Sequence, residues 1–308
     1  MSFINWGSES LEQREIRRRF EERELFEQVF AAAYAKSVSA MAGAAGGSLN
    51  PLNGLYGVGQ DGLIYSLGRG ESTWQFNYEP FPSITQITLN TDDGFLYAIV
   101  DFAGEIYFIR IDSTTRNFTF IENNISDYTV KGASSLYYEG DGKFIYLDNY
   151  FKKAISSIVR IEIDPLLSNV ATATQVSEVD PEETGYLLRN LFIYDEANWA
   201  IAANDISSGF ITGPFDIEAG TFTYSNILVP SPNEPNIVSI DTVFGAVEHK
   251  GIVYVDAGWL DPEDNYSIGL FKMDTETGGA VAPYYLTLVK DLEIASANDV
   301  QILSITSF

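Results

Sequence analysis

Ile109-Arg110-Ile111-Asp112 is an alternating apolar run that closes on an aspartate, and the same ending returns as Ile161-Glu162-Ile163-Asp164, Gly213-Pro214-Phe215-Asp216 and Phe271-Lys272-Met273-Asp274. The closing aspartates stand 52, 52 and 58 residues apart. A period of that size marks a supersecondary unit repeated in tandem. Upstream of each lies a cluster suited to tight turns: Asp92-Asp93-Gly94, Gly140-Asp141-Gly142, Asp195-Glu196-Ala197-Asn198 and Glu248-His249-Lys250-Gly251. Such residues tolerate positive φ or bond back to their own backbone. β-Branched and aromatic runs flank the clusters, as at 84–89 and 95–100, and a further run comes after each closing aspartate, at 118–121, 171–176, 221–227 and 285–289. Four strands per unit, with hairpin-sized gaps and tandem repetition, predict the blades of an all-β β-propeller.

The two ends of the chain supply a further blade. Four complete units fill residues 83–292 and leave 299–308 as a lone strand. At the other end, 54–58, 63–67 and 74–78 read as three strands joined by Gly59-Gln60-Asp61-Gly62 and Gly68-Arg69-Gly70. Residues 300–307 are therefore expected to pair with 55–58, closing a five-bladed propeller over 51–308 by sharing one blade between the termini. Closure hides strand edges that would otherwise template aggregation. An open β-sandwich of the same strands is the competing arrangement.

Composition narrows the function classes. The chain has 308 residues, 45% of them apolar, with 20 Phe and 18 Tyr, ample material for a core between packed sheets. No run reaches the roughly 18 to 20 apolar residues of a membrane-crossing helix, so a soluble protein with no membrane partner is expected. Absence of cysteine excludes disulfides and thiolate chemistry. The start lacks the basic and apolar regions of a secretory signal, so export by that route is not expected. Net charge is −25, divided unevenly: residues 1–50 carry seven acidic and six basic side chains, and the excess lies beyond them. A field of that sign repels nucleic acid and anionic membrane surfaces.

Residues 10–42 read as one long N-terminal α-helix. Ser10 and Gln13 fit a capping box, and Glu, Arg, Leu, Gln and Ala dominate the rest of the segment. A Gly/Ala linker over 42–48 ends it, so residues 1–50 form an anchor distinct from the β-rich body. The first half is too charged all round to be held by one apolar face. The second half offers Phe26, Val29, Phe30 and Tyr34, which are expected to bury against another protein, with Phe20 beside them. Arg14, Arg17, Arg18 and Arg23 suit partner carboxylates, since the guanidinium fork matches them bidentately. Phe3 and Trp6 could plug a pocket in the same partner.

Catalytic constellations are sparse. His249 is the sole histidine and falls in a turn cluster, which argues against a Ser-His-Asp arrangement and against multi-histidine metal sites. Asp261, Glu263 and Asp264, and likewise Asp180, Glu182 and Glu183, could gather a calcium ion, yet neither group has the spacing of a regular calcium loop. No glycine-rich phosphate loop is present, so no cofactor is expected. Glycosidase chemistry would need two carboxylates near the central channel, and the sequence does not place a pair there. A non-enzymatic protein is the expectation.

The opening Met1-Ser2-Phe3-Ile4-Asn5-Trp6-Gly7-Ser8-Glu9-Ser10, the run Arg17-Arg18-Arg19-Phe20-Glu21-Glu22 and the Ala/Gly tether ahead of a β-rich body resemble virion structural proteins of tailed bacteriophages. That resemblance covers about the first 50 residues. It implies a place on the virion, many copies per assembly, contacts with capsid, portal or tail proteins, and a β-domain displayed outward where it can hold a host glycan. A glycan-binding or glycan-degrading propeller and a cellular scaffold propeller are the alternatives.

Overall fold

The computed structural model describes residues 54–59, 62–67, 75–78, 84–102, 105–112, 117–125, 133–149, 156–179, 188–204, 209–275, 283–291 and 302–307. The helix expected over 10–42 and its linker lie outside these residues. The chain divides into Met1–Ser48 and Leu49–Phe308, and the second unit is described here.

Strands β1 (Leu55–Gly59), β2 (Ile64–Leu67) and β3 (Gln75–Tyr78) come first, then β4 (Ile84–Leu89), β5 (Leu96–Phe102), β6 (Glu105–Ile111) and β7 (Phe118–Ile121). A third group is β8 (Ala133–Gly140), β9 (Lys143–Asn149), β10 (Ser156–Ile163) and β11 (Ala171–Val179). A fourth is β12 (Leu188–Ile193), β13 (Trp199–Asn204), β14 (Gly209–Asp216), β15 (Thr221–Phe222) and β16 (Asn226–Pro230). The last is β17 (Ser239–His249), β18 (Ile252–Leu260), β19 (Tyr266–Asp274) and β20 (Tyr284–Asp291), with β21 (Ile302–Ser307) after it. The described residues are thus all-β, built of successive antiparallel meanders in the manner of a β-propeller.

Each repeated turn cluster joins the first strand of a meander to its second. Asp141, Asn198 and Lys250 take positive φ of 51°, 58° and 54°, the left-handed conformation that turn residues of these types tolerate, and Gly142 comes after Asp141 at 72°. The closing aspartates end or follow the third strands. Asp164 Oδ1 accepts hydrogen bonds from the amides of Leu166 (2.8 Å) and Leu167 (3.3 Å), and Asp216 Oδ1 from Ala219 N (2.9 Å). A side chain that folds the chain back on itself explains why the repeat is visible at that position.

The final strand lies where the count of strands placed it. β21 runs antiparallel to β1 in the register Leu55↔Ser307, Tyr56↔Thr306, Gly57↔Ile305 and Val58↔Ser304, giving a closing sheet ordered β21-β1-β2-β3. Side chains of β21 also reach the next meander: Ser304 Oγ and Thr306 Oγ1 accept from Ile87 N (3.2 Å) and Leu89 N (3.0 Å) of β4. First strands then succeed one another in contact, β21 to β4, β4 to β8, β8 to β12, β12 to β17, and β17 back to β21.

Both faces of the middle sheets are buried, which explains their continuous apolar runs. Phe144, Ile145, Tyr146 and Leu147 on β9 are all fully buried. Successive side chains point to opposite faces. Phe144 and Tyr146 pack with Tyr97, Ile99 and Phe108 of the preceding sheet, whereas Ile145 and Leu147 pack with Leu191, Ile193 and Ala200 of the following one. The Phe144 ring lies 4.6 Å from Tyr97 and 5.2 Å from Phe108, centroid to centroid.

Two features depart from independent four-stranded units. The single strand expected over 221–227 is split into β15 and β16, because Thr223 to Ser225 bulge across Gly213: a Cβ there would stand 1.9 Å from the Thr223 carbonyl oxygen. β16 then pairs in parallel with β20, Leu228↔Tyr284 through Pro230↔Leu286, and Ser231 N donates to Leu286 O at 2.8 Å. The fourth and fifth meanders thereby fuse along their outer edges into one nine-stranded sheet. Its ends also meet, with Glu248 N donating to Tyr194 O at 2.7 Å, so the sheet curls into a nearly closed barrel around Phe192, Phe210, Leu228, Val255, Phe271 and Leu286.

Candidate functional site

The predicted assembly contacts, Phe3, Trp6, Arg14, Arg17, Arg18, Phe20, Arg23, Phe26, Val29, Phe30 and Tyr34, all lie outside the described residues. The candidate sites of the β-unit are therefore built from its turns and its buried polar groups.

One end of the meanders is acidic and internally bonded. Tyr137 OH donates to Asp195 O at 2.8 Å, and Tyr138 OH donates to the Asp92 carboxylate, so each turn is tied to its neighbour across a sheet boundary. Burial pushes the Tyr137 phenol well up, and the charges of Asp195, Glu196, Glu139 and Glu248 push it further. The Tyr138 hydroxyl is raised to about 12, by burial first and by its bond to Asp92 second. Asp195 is itself raised, mainly by burial, although its Oδ1 accepts from Ala197 N (3.0 Å) and Trp199 N (2.8 Å). Arg160 grips Glu139 with two bonds of 2.8 Å and Glu218 with one of 2.7 Å. Asp92, Asp195, Glu139 and Glu218 each accept at least one of these bonds.

His249 ends β17, and partial burial and the Lys250 charge lower its pKa. The Asp261 loop, a calcium candidate by composition, is self-satisfied: Asp261 Oδ1 accepts from Glu263 N (2.9 Å) and Asn265 N (2.8 Å), and Oδ2 from Asn265 Nδ2 (2.8 Å). Those bonds hold its pKa below the usual carboxylate range. Among the described residues no group of three or more acidic, histidine or cysteine side chains is placed to hold a metal ion. Asp180, Glu182 and Glu183 lie outside the described residues.

The most unusual chemistry sits on the last meander. Asp256, in the middle of β18, is completely buried and neither carboxyl oxygen receives a hydrogen bond. Burial alone drives its pKa well above the ordinary carboxylate value. Two residues along the same face is Gly258, and the hydroxyl end of Tyr266 occupies the space a side chain there would fill, 2.0 Å from an added Cβ. Tyr266 is 48% exposed, and its phenol is raised first by burial and then by the charge of Asp241. Thr242, the cross-strand partner of Gly258, donates from Oγ1 to Asp241 Oδ2 at 3.1 Å. An open aromatic ring, a hydroxyl and a carboxylate thus share one rim of the sheet, with a buried acid behind them. The sequence carried a signal for this site, a lone carboxylate inside the apolar run Ile252-Val253-Tyr254-Val255-Asp256-Ala257-Gly258-Trp259-Leu260.

No family model matches the chain, and no curated protein matches it. Among solved structures, a nidogen/laminin complex is similar at 12% identity with a TM-score of 0.47, covering 83% of this chain and 98% of the other. An endo-arabinase from Bacteroides thetaiotaomicron gives 12% identity and a TM-score of 0.43, over 69% of this chain and 80% of the other. A xylan beta-1,4-xylosidase from Bacillus halodurans gives 13% and 0.46, over 81% and 59%.

Proposed function

We propose that residues 49–308 form a five-bladed β-propeller that serves as a non-catalytic binding module for neutral glycans. The blade count rests on the circuit of first strands β21, β4, β8, β12, β17 and back to β21. The observation that carries the binding reading is the half-exposed Tyr266 ring beside Asp241 and Thr242. Sugar C–H faces stack on aromatic rings, and sugar hydroxyls donate to carboxylates, so this rim offers both contacts a pyranose or furanose needs. Net charge of −25 disfavours sulfated or uronic-acid chains and leaves uncharged ones. Calorimetric titration with neutral oligosaccharides, arabinan and xylan fragments among them, tests this. Binding that Tyr266→Ala weakens by about tenfold or more, roughly 1.4 kcal/mol, is expected. Absence of binding to any neutral glycan contradicts the reading, and release of new reducing ends contradicts its non-catalytic part.

A second reading concerns residues 1–50 and is favoured by the way the chain divides after Ser48, next to the Gly/Ala linker, while β1 takes its partner from the opposite terminus. The segment acts as an anchor to capsid, portal or tail proteins of a virion, through Phe26, Val29, Phe30, Tyr34 and the arginines, and the propeller is displayed in many copies whose avidity offsets weak single contacts. Deleting residues 1–42 should leave a folded monomer that no longer enters particles. Incorporation of the truncated chain at the level of the full one contradicts the anchor.

A further inference from the structure

Where the last meander meets the closing sheet, Asp256 is buried without a hydrogen-bond donor. Its cross-strand partners, Gly245 on β17 and Leu270 on β19, share its face. Leu270 packs with Leu55, Tyr65 and Ile305, and a Cβ on Gly245 would stand 3.1 Å from Ile305 N and 3.2 Å from Ile305 Cγ1. The carboxyl is therefore enclosed between β17 to β19 on one side and β21, β1 and β2 on the other. Among the described residues, the titratable and charged groups around it are few. Tyr254 and Lys272 form the next pair along the same face, Tyr266 lies on the other side with Asp241 beyond it, and Tyr65 of the closing sheet packs with Leu270. From β21 comes Ile305, which is uncharged, while Ser304 and Thr306 point to the other face and bond β4. No bond from any of these reaches Asp256.

A carboxylate ion in such a place would lose its water without gaining a donor or a counter-charge, whereas the neutral acid loses far less. We propose that closure of the ring is proton-linked: Asp256 is protonated while β21 lies against the seam, and its ionisation loosens β21. The sign is set by which state holds the proton. With β21 released and water admitted, Asp256 titrates as an ordinary carboxyl. Below that range both states carry the proton and pH has no effect. Above it the closed state holds one proton more, so the closed-to-open ratio falls about tenfold per pH unit until Asp256 ionises within the closed ring, and is level beyond. The direction is opposite to that of Asp261, whose lowered pKa favours the folded state as pH rises.

Hydrogen exchange of residues 302–307 in the full chain, read by mass spectrometry from about pH 5 to about pH 8 and normalised to intrinsic exchange, tests the linkage. Wild-type opening should increase by close to tenfold per unit over part of that range. Asp256→Asn should be flat, while Asp261→Asn, which alters net charge equally at an exposed site, should retain the wild-type slope. An equal slope in wild type and Asp256→Asn overturns the proposal. Should Asp256→Asn fail to fold, the infrared carbonyl band of a protonated, unbonded carboxylic acid decides it in the wild type near neutral pH: the band supports the proton-linked seam and its absence overturns it.

Discussion

Gly213 and Asn124 show how single residues set the local path of the chain. A methyl group at Gly213 would collide with backbone, the Thr223 carbonyl, which has no flexible end to swing away. Gly213→Ala should therefore destabilise the protein by about 1 to 3 kcal/mol in urea unfolding, with the loss traced to the β14–β15 bulge. Asn124 acts as a strand edge in miniature, its Nδ2 donating to Ala173 O (3.1 Å) and its Oδ1 accepting from Ala173 N (2.7 Å). Asn124→Ala removes both of these bonds to the Ala173 main chain and should cost about 1 to 3 kcal/mol by the same measurement. Arg160 with Glu139 and Glu218 is a contrasting case: its side chain and those of its partners keep access to water, so Arg160→Met should change stability by less than about 1 kcal/mol. At this scale the sequence was partly legible. Turn residues announce themselves, because positive φ and self-bonding restrict which side chains serve. Asp256 was visible as an interruption of an apolar run, but whether a partner waits across the sheet depends on residues far away in the chain.

Strands carry the next level, and β21 is the informative one. Ile305 is 6% exposed and packs with Leu55, Tyr65 and Leu270, which joins the two ends of the chain to the last meander. Ile305→Ala should cost about 2 to 5 kcal/mol, the range for an emptied core site. Ser304→Ala and Thr306→Ala each remove an acceptor for a β4 amide and should cost about 1 kcal/mol apiece. Measured losses well below these values at Ile305 would mean that β21 contributes little to the fold. The strand pattern was legible wherever burial follows a local period, as at Ile84–Leu89, whose limits coincide with those read from the sequence. The parallel pairing of β16 with β20 was not, because each strand was expected to end its own meander and nothing in 226–230 or 284–291 names a partner in the neighbouring unit. Pairing between units is decided by how the sheets splay, which no window of sequence records.

Across the whole molecule the repeat unit, its closure and its charge act together. Self-repulsion from a net charge of −25 opposes compactness, and salt screens it over about 10 Å at 0.1 M. The melting temperature should therefore rise as sodium chloride is increased from about 10 mM to about 0.2 M; a constant or falling value would show that the acidic side chains are already neutralised by local pairing. Function was less legible than fold. The acidic turn ends look like clusters in the sequence, but in the structure they are hydrogen-bonded joints between meanders, whereas the Tyr266 rim draws on Thr242, Gly258 and Tyr266 from three strands. Pairing of β21 with β1 puts both ends of the described β-unit in one sheet. Because the chain has no cysteine, Val58→Cys with Ser304→Cys places a single thiol pair across β1 and β21, directly opposite in the register. Mild oxidation should give a monomeric, intramolecular disulfide in nearly every molecule, closing most of the chain into one loop and raising the melting temperature. Free thiols after oxidation, or cross-linked dimers in place of the internal bond, would contradict the closure.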